Sequence, residues 1–280
     1  TSMKVADAYK KNEKLSKFDN IIVASGNDYA DALSGTYLAA TKKAPILLVG
    51  EYASSMNKIK NYIAANLKPG GTVYILGGTG AVSSEFEAML SGHTVKRLGG
   101  SNRYETNINI LKEAGTTSKE IMVCSGEEFA DGLSVSAVGK PVLLVGKDLS
   151  ASQKQYIKNA GFNVYYIIGG EGAVSKDIEN TVKTMGKTER ISGRDRYATS
   201  AAIADRFFNG SKKAVLAFGE TFADGLSGGS LALSLEGPLL LVNSENTKHA
   251  ENYVSKNKVE RAAVLGGPIL ISDNMIDSII

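Results

Sequence analysis

Short runs of branched apolar residues alternate with longer stretches in which apolar positions recur every three or four residues. The whole alternation repeats three times along the chain. Ile21-Ile22-Val23, Ile121-Met122-Val123 and Val215-Leu216-Ala217 each lead into a glycine turn, and runs of this length and composition predict buried strands. A second strand is opened by proline in every copy: Pro45 to Val49, Pro141 to Val145 and Pro238 to Val242. Proline is tolerated there because the ladder does not yet need its N–H. An amphipathic helix should follow, clearest where Met56, Ile59, Ile63 and Leu67 share one face. A third strand ends in paired glycines at Gly77-Gly78, Gly169-Gly170 and Gly266-Gly267, and a further helix begins at Ser83 or Ser84, at Ser175 and at Ser272. Ser84 with Glu87 has the spacing of a capping box. Buried strands alternating with helices predict an α/β fold, a parallel sheet with helices on both faces.

The repeat is sharpest between the first strand and the helix after it. Ser25-Gly26-Asn27-Asp28-Tyr29-Ala30-Asp31-Ala32-Leu33-Ser34 returns at residues 125–134 and again at 218–227, where Phe218 replaces the first serine. The constant kernel is Gly-x-x-aromatic-Ala-Asp-small-Leu-Ser. Its Asp31, Asp131 and Asp224 stand near a helix N-terminus, where a carboxylate caps free N–H groups and complements the dipole. A second motif reads Arg97-Leu98-Gly99-Gly100-Ser101-Asn102-Arg103-Tyr104-Glu105-Thr106 and, again, Arg190-Ile191-Ser192-Gly193-Arg194-Asp195-Arg196-Tyr197-Ala198-Thr199. Taking it as the start of a unit gives units 1–95, 96–188 and 189–280. Thr1-Ser2 aligns with Thr199-Ser200, so the first unit's copy of this motif is expected upstream of Thr1. A period of about ninety residues is too long for the roughly 20–50 of solenoid repeats. Each unit should be a small domain, and three like units should pack about a pseudo-threefold axis in one monomer.

Composition narrows the chemistry. The chain is 43% hydrophobic and 22% charged, with a net charge of +3, ordinary for a globular protein and too weakly basic to argue for nucleic acid. Its one cysteine, Cys124, sits at a strand end as a small core residue, and no disulfide or zinc framework is expected. The longest apolar stretch is broken by Glu236 and Pro238, so no membrane insertion is expected. No charged-then-apolar leader opens these residues, which places any secretion signal outside them. The two histidines, His93 and His249, stand outside the repeated motifs, so neither a His-based triad nor a metal site recurs. Asp28 and Asp31 become Glu128 and Asp131, then Thr221 and Asp224, which is not a maintained acid–base pair. Five of the seven arginines lie in the Arg-Tyr motifs, and arginine is favoured where a planar fork meets a carboxylate or phosphate. Arg97, Arg103, Arg190, Arg194 and Arg196 therefore meet either an anionic ligand or the kernel aspartates of a neighbouring unit. Tyr104 and Tyr197 can pack beside them, and Ser34, Ser134 and Ser227 complete the kernels as candidate ligand contacts. The Gly-Gly turns could cradle a phosphate in the first two units. The third reads Gly266-Gly267-Pro268, and a tight turn accounts for all three.

The kernel, the Pro-Ile-Leu-Leu-Val strand, the Leu-Gly-Gly-x-Gly-Ala-Val-Ser turn and the Arg-Tyr motif together resemble the cell wall-binding repeat 2 family, over the whole chain and in triplicate. The resemblance implies three tandem Toprim-like modules in an intramolecular trimer, with no catalysis and no cofactor. It implies secretion, residence in the cell wall or S-layer of a Gram-positive bacterium such as a clostridium, and an attached effector domain. The implied function is non-covalent anchoring to an anionic secondary cell wall polysaccharide, with S-layer proteins as neighbours. The family's anchoring motif falls on Ile46, Leu47 and Leu48, altered to Val142, Leu143 and Leu144 and to Leu239, Leu240 and Leu241, residues that read physically as strand core. The rival implied by a Toprim-like fold is a magnesium-dependent phosphoesterase or nucleotide-acting enzyme, whose Asp-x-Asp pair does not recur here. A lattice protein whose modules touch between chains is a third reading.

Overall fold

The computed structural model describes residues 1–115 and 117–280. In the first unit the apolar runs become β1 (Phe18–Ser25), β2 (Ile46–Val49) and β3 (Leu67–Leu76), joined by a fourth strand, β4 (Thr94–Leu98), in the order β2-β1-β3-β4. The second unit repeats this with β5 (Glu120–Ser125), β6 (Val142–Val145), β7 (Val164–Ile168) and β8 (Lys187–Ile191), in the order β6-β5-β7-β8. The third has three strands, β9 (Lys213–Phe218), β10 (Leu239–Val242) and β11 (Arg261–Leu265), with β9 central. Every pairing is parallel, and the register repeats: Ile22 faces Ile46, Met122 faces Val142 and Val215 faces Leu239. The expected unit boundaries at 95/96 and 188/189 fall inside β4 and β8, so each of the first two sheets is completed by residues at the head of the next unit.

Strand β1 is followed by α2 (Ala30–Ser34) and α3 (Thr36–Lys42), and β2 by α4 (Ala53–Asn66). In this strand order the first crossover runs outward to β2 and the next runs back past β1 to β3. With right-handed crossovers the two sets of helices fall on opposite faces. In the second unit the kernel helix is a short 3-10 helix, Leu133–Ala137. It stops before Gly139, whose φ is +68°, and Pro141. In the third it is one helix, α10 (Phe222–Leu235). Ser83, Ser175 and Ser272 cap α5 (Ser84–Ala88), α8 (Lys176–Lys183) and α12 (Asp273–Ile279) by accepting from the N–H of the third residue onward. Ser84 is thus inside the helix, and Glu87 has another task. A true capping box forms at Ser150 and Gln153, ahead of α7 (Ala151–Ala160).

Three helices link the units. α1 (Ser2–Asn12) packs on β2 and on α10. α6 (Arg103–Ala114) packs on β6 and on α2 and α3, and α9 (Arg196–Phe207) on β10 and on the 3-10 helix. Each lies on the edge strand of one unit and the kernel helix of another, and one continuous apolar core runs through all three units. The axis ends in a triangle of kernel aromatics. Tyr29, Phe129 and Phe222 stand with ring centroids 5.6, 6.1 and 5.8 Å apart. At the other end Leu233 of α10 rests against Gly139, and Asn12 of α1 donates to the Ser234 carbonyl at 2.8 Å. The carboxyl ends of all three sheets therefore share one end of the molecule, and the amino ends share the other. Among the described residues, no helix is long and apolar enough to cross a membrane.

Candidate functional site

In parallel sheets of this kind a ligand crevice is expected beyond the carboxyl ends, where crossovers leave neighbouring strands in opposite directions. Here that place lies between the kernel turn after β1 and the Gly-Gly turn after β3. The chain fills it with its own carboxylate. Asp31 Oδ2 lies 2.2 Å from where a Cβ on Gly77 would stand, and Asp131 takes the same place at Gly169, at 2.4 Å. Asp224 approaches Gly266 at 3.5 Å. Gly77 and Gly169 also have φ of +94° and +95°, so glycine is needed there for both space and backbone. A phosphate at this turn would meet a carboxylate. Burial, and then the neighbouring Asp28, push the Asp31 carboxyl up to about 6, with Arg103 opposing. Burial likewise raises Asp131, which Thr199 and Arg196 pull back down. Asp31 sits within the first turn of α2 rather than at its cap, and it is Asp28 Oδ1 that accepts from the Ala30 N–H, at 2.9 Å.

The first arginine of each Arg-Tyr motif works inside its own sheet. Arg97, on β4, donates to the Gly77 and Gly78 carbonyls at 3.0 and 3.1 Å and pairs with Glu87 of α5 at 2.8 Å. Arg190, on β8, donates to the carbonyls of Gly169 and Val174 at 2.7 and 2.9 Å and pairs with Glu179 of α8 at 2.8 Å. Both guanidiniums clamp a Gly-Gly turn to the helix after it. Glu179 also receives Lys183 and Lys176, and its carboxyl is held down to about 2, first by Lys183 and then by Arg190. In the third unit Ile276 occupies the position of Glu87 and Glu179, four residues beyond the cap serine.

The second arginine joins units. Arg103 donates to the Gly126 carbonyl and, at 3.0 Å, to the Tyr29 hydroxyl, and it pairs with Asp28 at 3.4 Å. Its guanidinium lies 5.5 Å from the Tyr29 ring centre. Arg196 donates to the Gly219 carbonyl at 2.8 Å and lies 5.4 Å from the Phe129 ring centre. The inter-unit partner is thus the kernel aromatic, with Asp28 rather than Asp31 as the acid. Tyr104 packs on Gly126 and Gly146, and Tyr197 on Gly219, closer than any side chain there would allow. Arg194 alone of the five motif arginines is largely exposed, at 80%, with Asp195 3.2 Å away.

The remaining candidates are interior. Ser34 donates to the Ala30 carbonyl and Ser227 to that of Ala223, while the buried Ser134 hydroxyl has no hydrogen-bond partner among the described residues. Ile46, Leu47, Val142, Leu143, Leu144, Leu239, Leu240 and Leu241 are buried and Leu48 is partly so. They form β2, β6 and β10 themselves. What sequence reasoning missed is how the outer edges of these strands are closed. Ser2 Oγ accepts from the Leu48 N–H at 3.1 Å, Asn107 Oδ1 from that of Leu144 at 3.1 Å, and Ser200 Oγ from that of Leu241 at 3.1 Å. The signal was there, a polar residue directly after each motif threonine, on the buried face of a helix.

The amino ends carry a different balance of charge. Lys14, Lys43, Lys119, Lys187, Lys212 and Lys258 stand exposed in or beside the loops that enter strands. Among the described residues none of the six has a carboxylate within ion-pair distance. The carboxyl ends expose Glu51, Glu127, Glu128, Glu171, Glu220 and Glu245 alongside Lys147, Lys176 and Lys248, and the amino ends also expose Glu13, Glu236 and Glu260, so the two ends differ in balance rather than in kind. No group of three or more His, Cys, Asp or Glu suited to a metal ion occurs among the described residues.

Comparison with known proteins places this architecture. The sequence profile described as Cell wall binding domain 2 matches residues 1–87, 97–179 and 190–276. The chain belongs to that family. It is 29% identical over 268 residues to the N-acetylmuramoyl-L-alanine amidase LytC of Bacillus subtilis, covering 92% of this chain and 52% of the amidase. It is 30% identical over 259 residues to the amidase enhancer of the same organism, covering 90% of this chain and 35% of that protein. The chain thus spans about half or less of these curated relatives. Among solved structures, Cwp8 from Clostridium difficile superposes with a TM-score of 0.86 at 28% identity, over 100% of this chain and 50% of that one. Cwp6 from the same organism gives 0.85 at 24% identity, over 100% and 46%, a likeness of fold. The family places the chain among cell wall-associated binding modules.

Proposed function

We propose that this chain anchors the protein it belongs to non-covalently to the cell wall by holding an anionic wall polysaccharide, and that the polymer lies along the lysine-bearing end of the three units. The observation that supports this reading is the division of cationic labour. Arg97, Arg103, Arg190 and Arg196 are engaged in internal clamps, whereas the exposed lysines recur in all three units at the amino ends of the sheets. An ammonium on a flexible stem is a point charge that follows a polymer without fixed geometry. Several weak sites in one chain gain by avidity. The Ile-Leu-Leu strands serve anchoring through the fold, since they are core. In a longer protein such as an amidase, the module would hold a catalytic region at the wall, secreted and beside any S-layer proteins.

Sedimentation with purified wall tests this. The chain should pellet with intact wall and remain in solution with wall stripped of its anionic polymer. Reversing Lys14, Lys43, Lys119 and Lys187 to Glu should release it at unchanged melting temperature, while Arg194→Glu should not. Undiminished binding to stripped wall would refute the anionic polymer. Binding lost with Arg194→Glu but kept with the lysine variant would move the site to the other end.

A further inference from the structure

The first unit departs from the other two where its third strand begins. In the second and third units a single residue, Asn163 or Glu260, separates a buried apolar residue, Phe162 or Val259, from the strand. In the first, four residues, Lys68-Pro69-Gly70-Gly71, separate the buried Leu67 from Thr72. The ladder records the excess: Phe18 faces Leu67 and Asn20 faces Thr72, so Asp19 alone stands opposite all four. Gly70 completes the bulge with φ of +77°, a conformation glycine takes without strain. The turn that enters the next strand differs with it. In the second unit that turn lies flat on its neighbour, with the Lys187 N–H bonded to the Asn163 carbonyl at 2.9 Å and a Cβ on Gly186 only 2.5 Å from the same oxygen. His93 takes the position of Gly186, one residue before the strand. Between its turn and the bulge a cavity of about 430 Å³ opens at the amino end of the sheet, with Lys17, Lys68, Ser91, Gly92 and His93 in its lining.

The lining is made of donors. Lys17 and His93 are both partly buried, and among the described residues neither side chain has a hydrogen bond or an ion pair. The Gly92 N–H also lacks an acceptor among the described residues. Lys68 is held by Asp19 at 2.8 Å, an exposed pair of the kind that water and salt weaken. No carboxylate lines the cavity itself. Partly buried cations without partners are costly unless an anion answers them, and a cavity of this size with a few convergent polar groups is the usual form of a ligand site. We propose that it is an oxyanion site and that its ligand is a phosphoryl group. Two ammonium groups, an imidazole, a hydroxyl and a free amide arrive from three separate loops, which suits the tetrahedral oxygens of a phosphate better than the planar pair of a carboxylate. The cavity is larger than a phosphate alone, so it has room for the body that carries the group. The inference deepens the polymer reading and rests on it for the polymer alone: the exposed lysines follow the chain, and this cavity seats one group of it in the first unit.

The chain's two histidines supply the test, because they report on opposite ends. His93 lines the cavity, while His249 lies in the first turn of α11 (Lys248–Asn257), which follows β10 at the carboxyl ends. Inorganic phosphate, titrated into the 280-residue chain at constant pH and ionic strength, should move the imidazole resonances of His93 to saturation and leave those of His249 in place. Acetate should move neither. Lys17→Gln should weaken the response about tenfold, the loss of one hydrogen bond to a charged group, at unchanged melting temperature, and Arg194→Gln should leave it as it is. No shift at His93, equal shifts at both histidines, an equal response to acetate, or an unaltered response in Lys17→Gln would each overturn the proposal. Anionic polymer released from purified wall supplies the second arm and should compete with phosphate at His93. Phosphate binding without that competition would keep the site and make its ligand a free phosphate. Sedimentation with intact wall but no phosphate response at His93 would overturn the site and leave the polymer reading standing.

Discussion

At the level of single residues, the two intra-sheet clamps look alike and should differ in strength. Arg190 reaches a Glu179 carboxylate only 7% exposed, whereas the Glu87 partner of Arg97 is 36% exposed. Arg190→Ala leaves a buried carboxylate and two turn carbonyls unanswered. The expected cost is about 2–4 kcal/mol, below that of a wholly abandoned charge because Lys183 and Lys176 remain. Arg97→Ala should cost less, about 1–2 kcal/mol, since Glu87 can rehydrate. Urea unfolding of both variants measures the order, and a costlier Arg97→Ala would contradict the burial argument. Asp31 gives a prediction in pH. Its folded pKa of about 6 lies above the unfolded value near 3.9, so its stabilising share is full below about pH 4 and is lost as pH rises through 6. Asp31→Asn mimics the protonated form. It should melt above the parent at pH 7, with the gap closing toward pH 4; a gap constant across that range would show that Asp31 does not titrate as its burial requires. The sequence announced that these arginines and aspartates matter, because they are repeated. It did not say which would be spent internally, since an arginine fork meets a backbone carbonyl, a glutamate or a ligand with the same geometry.

At the level of elements, strands whose faces are both buried were legible and strands at the rim were not. β1, β2, β3 and their counterparts are runs of branched apolar residues. β4 and β8 read Thr94-Val95-Lys96-Arg97-Leu98 and Lys187-Thr188-Glu189-Arg190-Ile191, polar enough to pass for loop. Edge strands carry charge by necessity, because an apolar edge invites pairing with other chains. The opposite edges, on β2, β6 and β10, are closed by one side chain each from α1, α6 and α9. Asn107 is the most committed of these, bonding the Leu144 N–H, the Val142 carbonyl and Ser34. Asn107→Ala should cost about 1–3 kcal/mol, the range for leaving buried backbone groups unpaired. Asn107→Ser should recover part of that, because Ser2 and Ser200 show that a hydroxyl from this position reaches the strand amide. Equal losses from both variants would mean that packing, and not this bond, sets the cost.

At the level of the molecule, the shared direction of the three sheets turns a local preference into a global one. Cations favour helix C-termini and anions favour N-termini by a few tenths of a kcal/mol each. With all helices between strands running one way, these small biases add to a molecule with more exposed lysine at one end and more exposed glutamate at the other, at a net charge of only +3. Net charge alone therefore hid the electrostatics, and only the pseudo-threefold packing reveals them. If a wall polymer is held at the lysine end, its attachment is a sum of exposed pairs, screened beyond about 8–10 Å at physiological ionic strength. Binding should fall steeply between low and high salt. Reversing Lys119 and Lys187 of the second unit should weaken it about as much as reversing Lys14 and Lys43 of the first, and the combined variant should lose far more than either, as avidity demands. The three chains would be titrated against polymer at two salt concentrations, with melting temperature as the control for folding. Binding that ignores salt, or that one pair abolishes while the other leaves it untouched, would mean a single shaped pocket rather than a charged end, and the search would return to the grooves between the units.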